Sequence, residues 1–302
     1  MRKARLSRIK PMRKTIFTAL AVFALSAVWA AAAGEADVPS KPFEAVRIWL
    51  GPNGQPLPFQ SDEQALDFLR TAEVTGKKLV GSGVGGAQKV RLEKDGLAVN
   101  ACFRTIREDY DKALMKDGTY RFNFRDDAVF EVAAYELSRM LGLDNIPPVV
   151  VRAIDGQRGT LQLWIEKAMT ESKRLKKDAQ PPSGLHYLRQ IQNMRIFDNL
   201  IYNVDRNKGN MLIDSHWKLW MIDHTRSFRR YKQLSQPEFA AAVDRNLWER
   251  IQALDPDQVQ QRLAPYLKAQ EIRGLLKRRD TLVQHIQKLI NEKGENRVLF
   301  SI

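Results

Sequence analysis

The first strong pattern in the chain is an unbroken apolar run of 18 residues, Ile16 to Ala33. Seven basic residues and no acid precede it, and Gly34-Glu35-Ala36-Asp37 follows. A basic start, an apolar centre and small residues before a polar segment describe a secretory signal peptide over residues 1–33, with Ala31-Ala32-Ala33 as the A-x-A cleavage pattern. A run of this length also suffices for an uncleaved N-terminal anchor. Both readings place the working part of the chain, from about Gly34, outside the cytoplasm, periplasmic or secreted.

Beyond the leader the pattern alternates between periods. Ser61-Asp62-Glu63-Gln64 reads as a capping box, and Ala65, Leu66, Leu69 and Ala72 follow at helical spacing. Lys78 to Thr105 reads as strand, glycine-rich loop, strand, tight turn at Asp95-Gly96, strand. Asp126 to Leu143 predicts a helix stopped by Gly142 and Pro147-Pro148. Val149 to Ala153 and Leu161 to Glu166 predict two strands around Asp155-Gly156. Thr170 to Ser183 is polar, charged and contains Pro181-Pro182, so it reads as a linker. From His186 onward the pattern is mainly helical, apart from Asn203 to Ser227. A strand-rich half followed by a helix-rich half predicts an α+β protein of two lobes, with an N-lobe at 42–163 and a helical C-lobe at 164–302.

Composition narrows the classes. The chain has 302 residues, 44% apolar and 28% charged, which is a globular composition. One cysteine excludes a disulfide framework within the chain. The formal charge of +14 suggests nucleic acid, but seven of the 49 Lys/Arg lie in the leader, leaving 42 against 35 acidic residues. With no recognised nucleic-acid module, that partner is not expected. Four histidines, His186, His216, His224 and His285, show neither metal-ligand spacing nor a triad order.

Gly81-Ser-Gly83-Val-Gly-Gly86 matches G-x-G-x-x-G. A dinucleotide loop should open a helix, and a Walker loop needs a lysine where Ala87 stands. The following residues alternate like a strand. A strand–loop–strand flap remains, either a simple hairpin loop or a cover for nucleotide phosphates, whose oxygens bare backbone N–H groups can approach. Gly81, Gly83 and Gly86 are the candidate nucleotide contacts there.

The densest chemical signal is Asp205-Arg206-Asn207-Lys208-Gly209-Asn210, followed eighteen positions after Asp205 by Asp223 within Ile222-Asp223-His224. Phosphoryl transfer needs one carboxylate to orient or deprotonate the attacking hydroxyl, and an amide oxygen with a second carboxylate to hold a divalent ion. Asp205, Asn210 and Asp223 supply those types in that order. Gly209 is expected to permit a tight turn, and Leu219 to Ile222 to carry Asp223 on a strand. Oxygen ligands of this kind suit Mg²⁺ or Mn²⁺. Each residue alone reads more readily as structural, Asp205 and Asn210 as turn formers and Asp223 as a helix cap.

The pattern D-R-x-x-x-N followed by I-D resembles the atypical kinase superfamily that contains phosphoinositide 3-/4-kinases, HipA-like kinases and secretory-pathway kinases related to the Golgi casein kinase. The resemblance implies a bacterial member with a two-lobed kinase-like fold, using ATP. It implies Asp205 as the catalytic-loop aspartate and Asn210 and Asp223 as metal ligands. Phe130-Glu131-Val-Ala-Ala-Tyr135 resembles the N-lobe helix, whose glutamate, here Glu131, pairs with the ATP-binding lysine. Gln162-Leu-Trp-Ile-Glu166 resembles the hinge strand beneath adenine, with Leu163 and Ile165 as contacts. On a helical wheel Glu131 lies at the shoulder of the Phe130, Ala133, Ala134, Leu137 and Leu141 face, roughly 110° from its centre at 100° per residue.

One position departs from the pattern. Arg104 ends the third strand where the ATP-binding lysine is expected. Arginine is planar and permanently charged, so the exchange is not conservative. It can bridge Glu131 to a phosphate, or mark a weak enzyme or pseudokinase that binds nucleotide or a partner. Lys89 is a possible stand-in. Cys102, two residues earlier on the same strand face, would by the resemblance lie near adenine, but by itself reads as a small core residue. Arg226, Arg229 and Arg230 follow the metal site and are candidates for holding an acidic acceptor or a phosphate. The expected function is γ-phosphoryl transfer from ATP to a hydroxyl of a protein, lipid or sugar.

Overall fold

In the computed structural model, the structure describes residues 48–80, 86–114 and 118–302. The predicted leader, the start of the predicted N-lobe, and Gly81 and Gly83 lie outside the described residues.

Helix α1 spans Asp62–Thr71. Ser61 Oγ accepts the Gln64 N–H at 3.4 Å, but the Gln64 side chain returns to the Gln60 N–H at 2.6 Å. The expected capping box therefore closes one residue before Ser61. Ala65, Leu66, Leu69 and Ala72 are buried as their spacing predicts.

Five antiparallel strands follow in the order β1 (Glu73–Leu79), β2 (Gln88–Lys94), β3 (Leu97–Arg104), β7 (Gln157–Leu163), β6 (Val149–Ile154). Asp95 and Gly96 turn the β2–β3 hairpin with φ of +52° and +74°, the left-handed pair that a two-residue hairpin requires. Alternation sends Val90, Leu92, Val99, Ala101 and Phe103 into the core. Helix α2 (Val129–Met140) packs on β6 and β7, as does α1. Its buried face contains all five predicted residues, Phe130, Ala133, Ala134, Leu137 and Leu141.

The helix begins three residues later than the sequence predicts. Asp126 and Asp127 instead end β5 (Tyr120–Asp127), paired with β4 (Arg107–Leu114) in a separate ribbon that the sequence pattern did not reveal. β4 is mostly exposed on both faces, so it shows no period-two alternation. The predicted linker at 170–183 contains a short helix, α3 (Glu171–Lys176), capped by Thr170 and held by the buried Glu171–Arg174 ion pair.

The remainder is helical around a small sheet. β8 (Met169–Thr170), β9 (Met211–Ile213) and β10 (Leu219–Met221) pair in the order β10-β9-β8. Helix α4 (Gly184–Ile201) precedes β9 and ends on Tyr202 in the left-handed region, φ +54°. β11 (Val243–Asp244), α5 (Arg245–Gln252), α6 (Pro256–Leu263), α7 (Ala269–Lys293), α8 (Glu295–Val298) and β12 (Leu299–Phe300) complete the chain. One continuous core joins the five-stranded sheet to α4, β9, β10 and α7. The fold is α+β, strand-rich first and helical afterwards. Among the described residues no helix is long and apolar enough to cross a membrane.

Candidate active site

Between β3, β7 and the segments 205–210 and 222–226 lies a cleft of about 700 Å³. Arg104, Leu163, Ile165, Asp205, Asn210 and Asp223 all line it. The predicted site residues from distant parts of the sequence therefore converge. Val80 and Ala87, which flank the glycine loop, also line the cleft and are joined by a backbone bond of 2.9 Å. Gly86 has φ +58° and open space where a Cβ would stand.

The loop after α4 is built by side-chain hydrogen bonds. Asn203 donates to Asp198 Oδ1 at 3.0 Å and accepts the Asp205 N–H at 3.0 Å. Asn207 Oδ1 accepts the Gly209 N–H at 2.8 Å. Gly209 is not in the left-handed region. A Cβ there would stand 3.0 Å from Asn207 Oδ1, so the glycine leaves room for that turn rather than supplying an unusual φ. Asn210 Nδ2 donates to the Asp205 carbonyl at 2.9 Å. That bond uses the donor end of the amide and leaves its oxygen as the end available to a cation.

Arg206 holds this loop to the rest of the site, a role the sequence reading did not assign. Its guanidinium bonds both Asp198 oxygens, the carbonyls of Asn210 (2.8 Å) and Ile222 (2.7 Å), and His224 Nε2 (2.9 Å). Asp205, Asn210 and Asp223 thus share one buried anchor. Arginine only donates, so His224 Nε2 must accept; the ring proton then sits on Nδ1 and is donated to Glu131 Oε2 at 3.0 Å. His224 is fully buried.

This corrects the expected partner of Glu131. Glu131 binds His224, while Arg104 Nη1 pairs with Asp223 Oδ1 at 2.9 Å. Burial works to raise the Glu131 pKa, but the His224 bond and the nearby Arg104 charge bring it below the usual carboxylate value. Burial likewise works against the Arg104 charge, and Asp223 and Glu131 outweigh it. Asp223 is held at φ +63°, a conformation costly for a non-glycine residue.

Lys89 is not the stand-in for the missing lysine. It lies 3.4 Å from Glu166 and 4.4 Å above the Trp164 ring, beside the hinge segment. Cys102 lines the cleft rather than the core, because β3 alternation places it on the Arg104 face; burial pushes its thiol pKa up. Of the three arginines after Asp223, only Arg226 lines the cleft; Arg229 is buried over the Phe124 ring at 4.9 Å. They do not form one anion-holding surface.

Asp126 is a further cleft residue missed in the sequence, where it reads as a helix start. It is 2% exposed and accepts from Arg226 Nε at 2.7 Å. Arg226 Nη1 lies 3.4 Å from Asp205 Oδ2. Burial raises the Asp205 pKa, Arg226 opposes that, and Asp223 and Asp126 add to the rise. Among the described residues no three His, Cys, Asp or Glu side chains stand close enough to hold a metal by themselves. The donors available to a hard cation are the Asn210 amide oxygen and the Asp223 carboxylate.

No family model matches the sequence, and no curated protein matches it. Solved structures do. Hydra Fam20 with sugar superposes with a TM-score of 0.60 and 17% identity, over 80% of this chain and 94% of that one. The Golgi casein kinase gives 0.57 and 14%, over 79% and 77%. The same kinase with Mn/ADP bound gives 0.56 and 14%, over 79% and 78%. The sheet with α2 above the cleft and the helical part below it are thus the two lobes of the kinase-like fold found in Fam20 and the Golgi casein kinase.

Proposed function

We propose that this chain is an exported, ATP-dependent phosphotransferase that moves the γ-phosphoryl group to a hydroxyl of a protein, lipid or sugar acceptor. The observation that carries the reading is the convergence of Asp205, Asn210 and Asp223 on one cleft. The leader pattern supports export, and a neighbour of the same fold was solved with Mn/ADP.

In this reading adenine lies beside Leu163 and Ile165, under Val80 and Ala87. Asn210 and Asp223 would hold Mg²⁺ or Mn²⁺, which would supply neutralisation of phosphate charge. The donor set fits such an ion, since the Asn210 nitrogen is already committed. Asp205 orients the acceptor hydroxyl and takes its proton. Its raised pKa brings it nearer to working pH, as a general base requires. Arg206 keeps Asp205, Asn210 and Asp223 in register through one buried guanidinium.

The test is incubation of the mature protein with γ-labelled ATP, Mg²⁺ or Mn²⁺, and a cell-envelope extract. Labelled acceptor from the wild type and none from Asp205→Ala support the reading; no labelled product in any condition defeats it.

One observation favours a second reading, a nucleotide- or partner-binding pseudokinase. Arg104 occupies Asp223, so the metal carboxylate is internally neutralised. ATP binding unaffected by metal, with no turnover, identifies that case.

A further inference from the structure

Arg226 sits among the carboxylates of the cleft with its position fixed from several sides. Its Nε donates to Asp126 Oδ2 at 2.7 Å, and Nη1 lies 3.4 Å from Asp205 Oδ2. The backbone is tied on both sides of it: Asp127 N–H donates to the Thr225 carbonyl at 2.9 Å, and Phe228 N–H to the Ile201 carbonyl at 2.6 Å.

Asp126 itself is a costly group. It is 2% exposed, and its second oxygen has no hydrogen-bond partner among the described residues. A carboxylate this buried is tolerated when a cation compensates it, and Arg226 is that cation. Held through Nε, with Nη1 turned to Asp205 Oδ2, the guanidinium has Nη2 left for the cleft. Arg226 remains 30% exposed at the side chain, twice the 15% of Arg104. Arg104 is spent on Asp223, so it is poorly placed to serve a phosphate in transit.

We infer that Arg226 is a catalytic arginine supplied in cis, whose terminal N–H groups bind the non-bridging oxygens of the phosphoryl group as it moves, and that Asp126 is the positioning residue that aims it. This rests on the phosphotransferase reading above. In the step, the acceptor oxygen forms a bond to the γ-phosphorus. The bond from phosphorus to the β,γ-bridging oxygen breaks, and its electron pair leaves with ADP. The hydroxyl proton passes to Asp205. Charge in that transition state is spread over three equatorial oxygens. A planar fork with parallel donors matches those oxygens better than an ammonium does. Its distance of 3.4 Å from Asp205 puts it where acceptor oxygen and phosphorus meet.

The experiment compares full-length wild type with Arg226→Ala, Arg226→Lys and Asp126→Asn for turnover and, separately, for ATP binding by calorimetry. Loss of a preorganised donor lowers kcat by about 100-fold or more in Arg226→Ala, with ATP affinity unchanged and activity partly restored by added guanidinium. Asp126→Asn keeps ATP affinity and loses kcat to a smaller extent. Should Arg226→Ala not fold, Arg226→Lys decides, with an expected loss of about tenfold because it keeps the charge and lacks the fork. Undiminished kcat in a folded Arg226 variant overturns the assignment while leaving the phosphotransferase reading intact. A wild type that transfers nothing removes that reading, and this assignment with it.

Discussion

Arg104 Nη1 stands 2.9 Å from Asp223 Oδ1, so the side chain at the expected lysine position neutralises the carboxylate proposed to hold the metal. The sequence led instead to an Arg104–Glu131 pair. His224 takes Glu131, and the freed guanidinium turns to Asp223.

A consequence follows for metal binding. In Arg104→Gln the positive charge beside Asp223 is gone, and affinity for Mn²⁺ alone rises by about tenfold, equivalent to ~1.4 kcal/mol. ATP affinity does not fall in the same variant, because Arg104 is spent on Asp223 rather than on a phosphate. Calorimetric titration with MnCl₂ and then with ATP reads both affinities, and unchanged Mn²⁺ affinity argues against the competition.

Arg206 is the anchor of the loop, and its pair with Asp198 is almost completely buried, at 2% and 4% exposure. Arg206→Ala leaves Asp198 uncompensated and costs about 3–5 kcal/mol of stability. Arg206→Lys does not rescue it, since one ammonium cannot reach Asp198, two carbonyls and His224 together. Chemical denaturation measures the loss, which a value under about 1 kcal/mol would contradict.

Asp205 bears a charge that costs the folded chain stability. Its folded-state pKa lies above the unfolded value, raised by burial and by the neighbouring carboxylates. Between those two values the folded state binds more protons, so stability falls as pH rises through that window, and the deficit persists at neutral pH. Asp205→Asn therefore melts at a higher temperature than wild type at pH 7. The gain shrinks as pH drops below the ordinary aspartate pKa. Thermal melts across that range test this, alongside loss of turnover in the same variant.

Glu131 has the opposite sign. Its folded-state pKa is lowered, so it contributes stability above the usual glutamate value and loses it as pH falls through the folded value. Glu131→Gln is then less stable than wild type near neutrality, and the difference narrows in acid. Parallel stability curves for the two proteins would exclude the Glu131–His224 bond as the cause.

Much of this architecture was legible in the residues. Asp95-Gly96 and Asp155-Gly156 announced their hairpins, because both turns need the positive φ they adopt. The face of α2 could be read from Phe130 to Leu141. Asp205, Asn210 and Asp223 could be picked out because phosphoryl transfer needs few groups in a fixed order. The ribbon of β4 and β5 was hidden because Arg107 to Leu114 is polar on both faces, leaving no period to detect. Asp126 was lost with it. The Glu131–His224–Arg206 chain spans 93 positions between its first two members, and no local spacing encodes such a contact. The α3 turn at 171–176 failed as a helix signal because its stability comes from one buried ion pair and a Thr170 cap rather than an apolar stripe.

The most direct measurement is label transfer from γ-labelled ATP by wild type, Asp205→Ala and Asp223→Ala, each first checked for native circular dichroism. The account predicts metal-dependent transfer by wild type, none by either variant, and weakened metal-dependent ATP binding in Asp223→Ala alone. Equal labelling by all three proteins, or no ATP binding by the wild type, would contradict it.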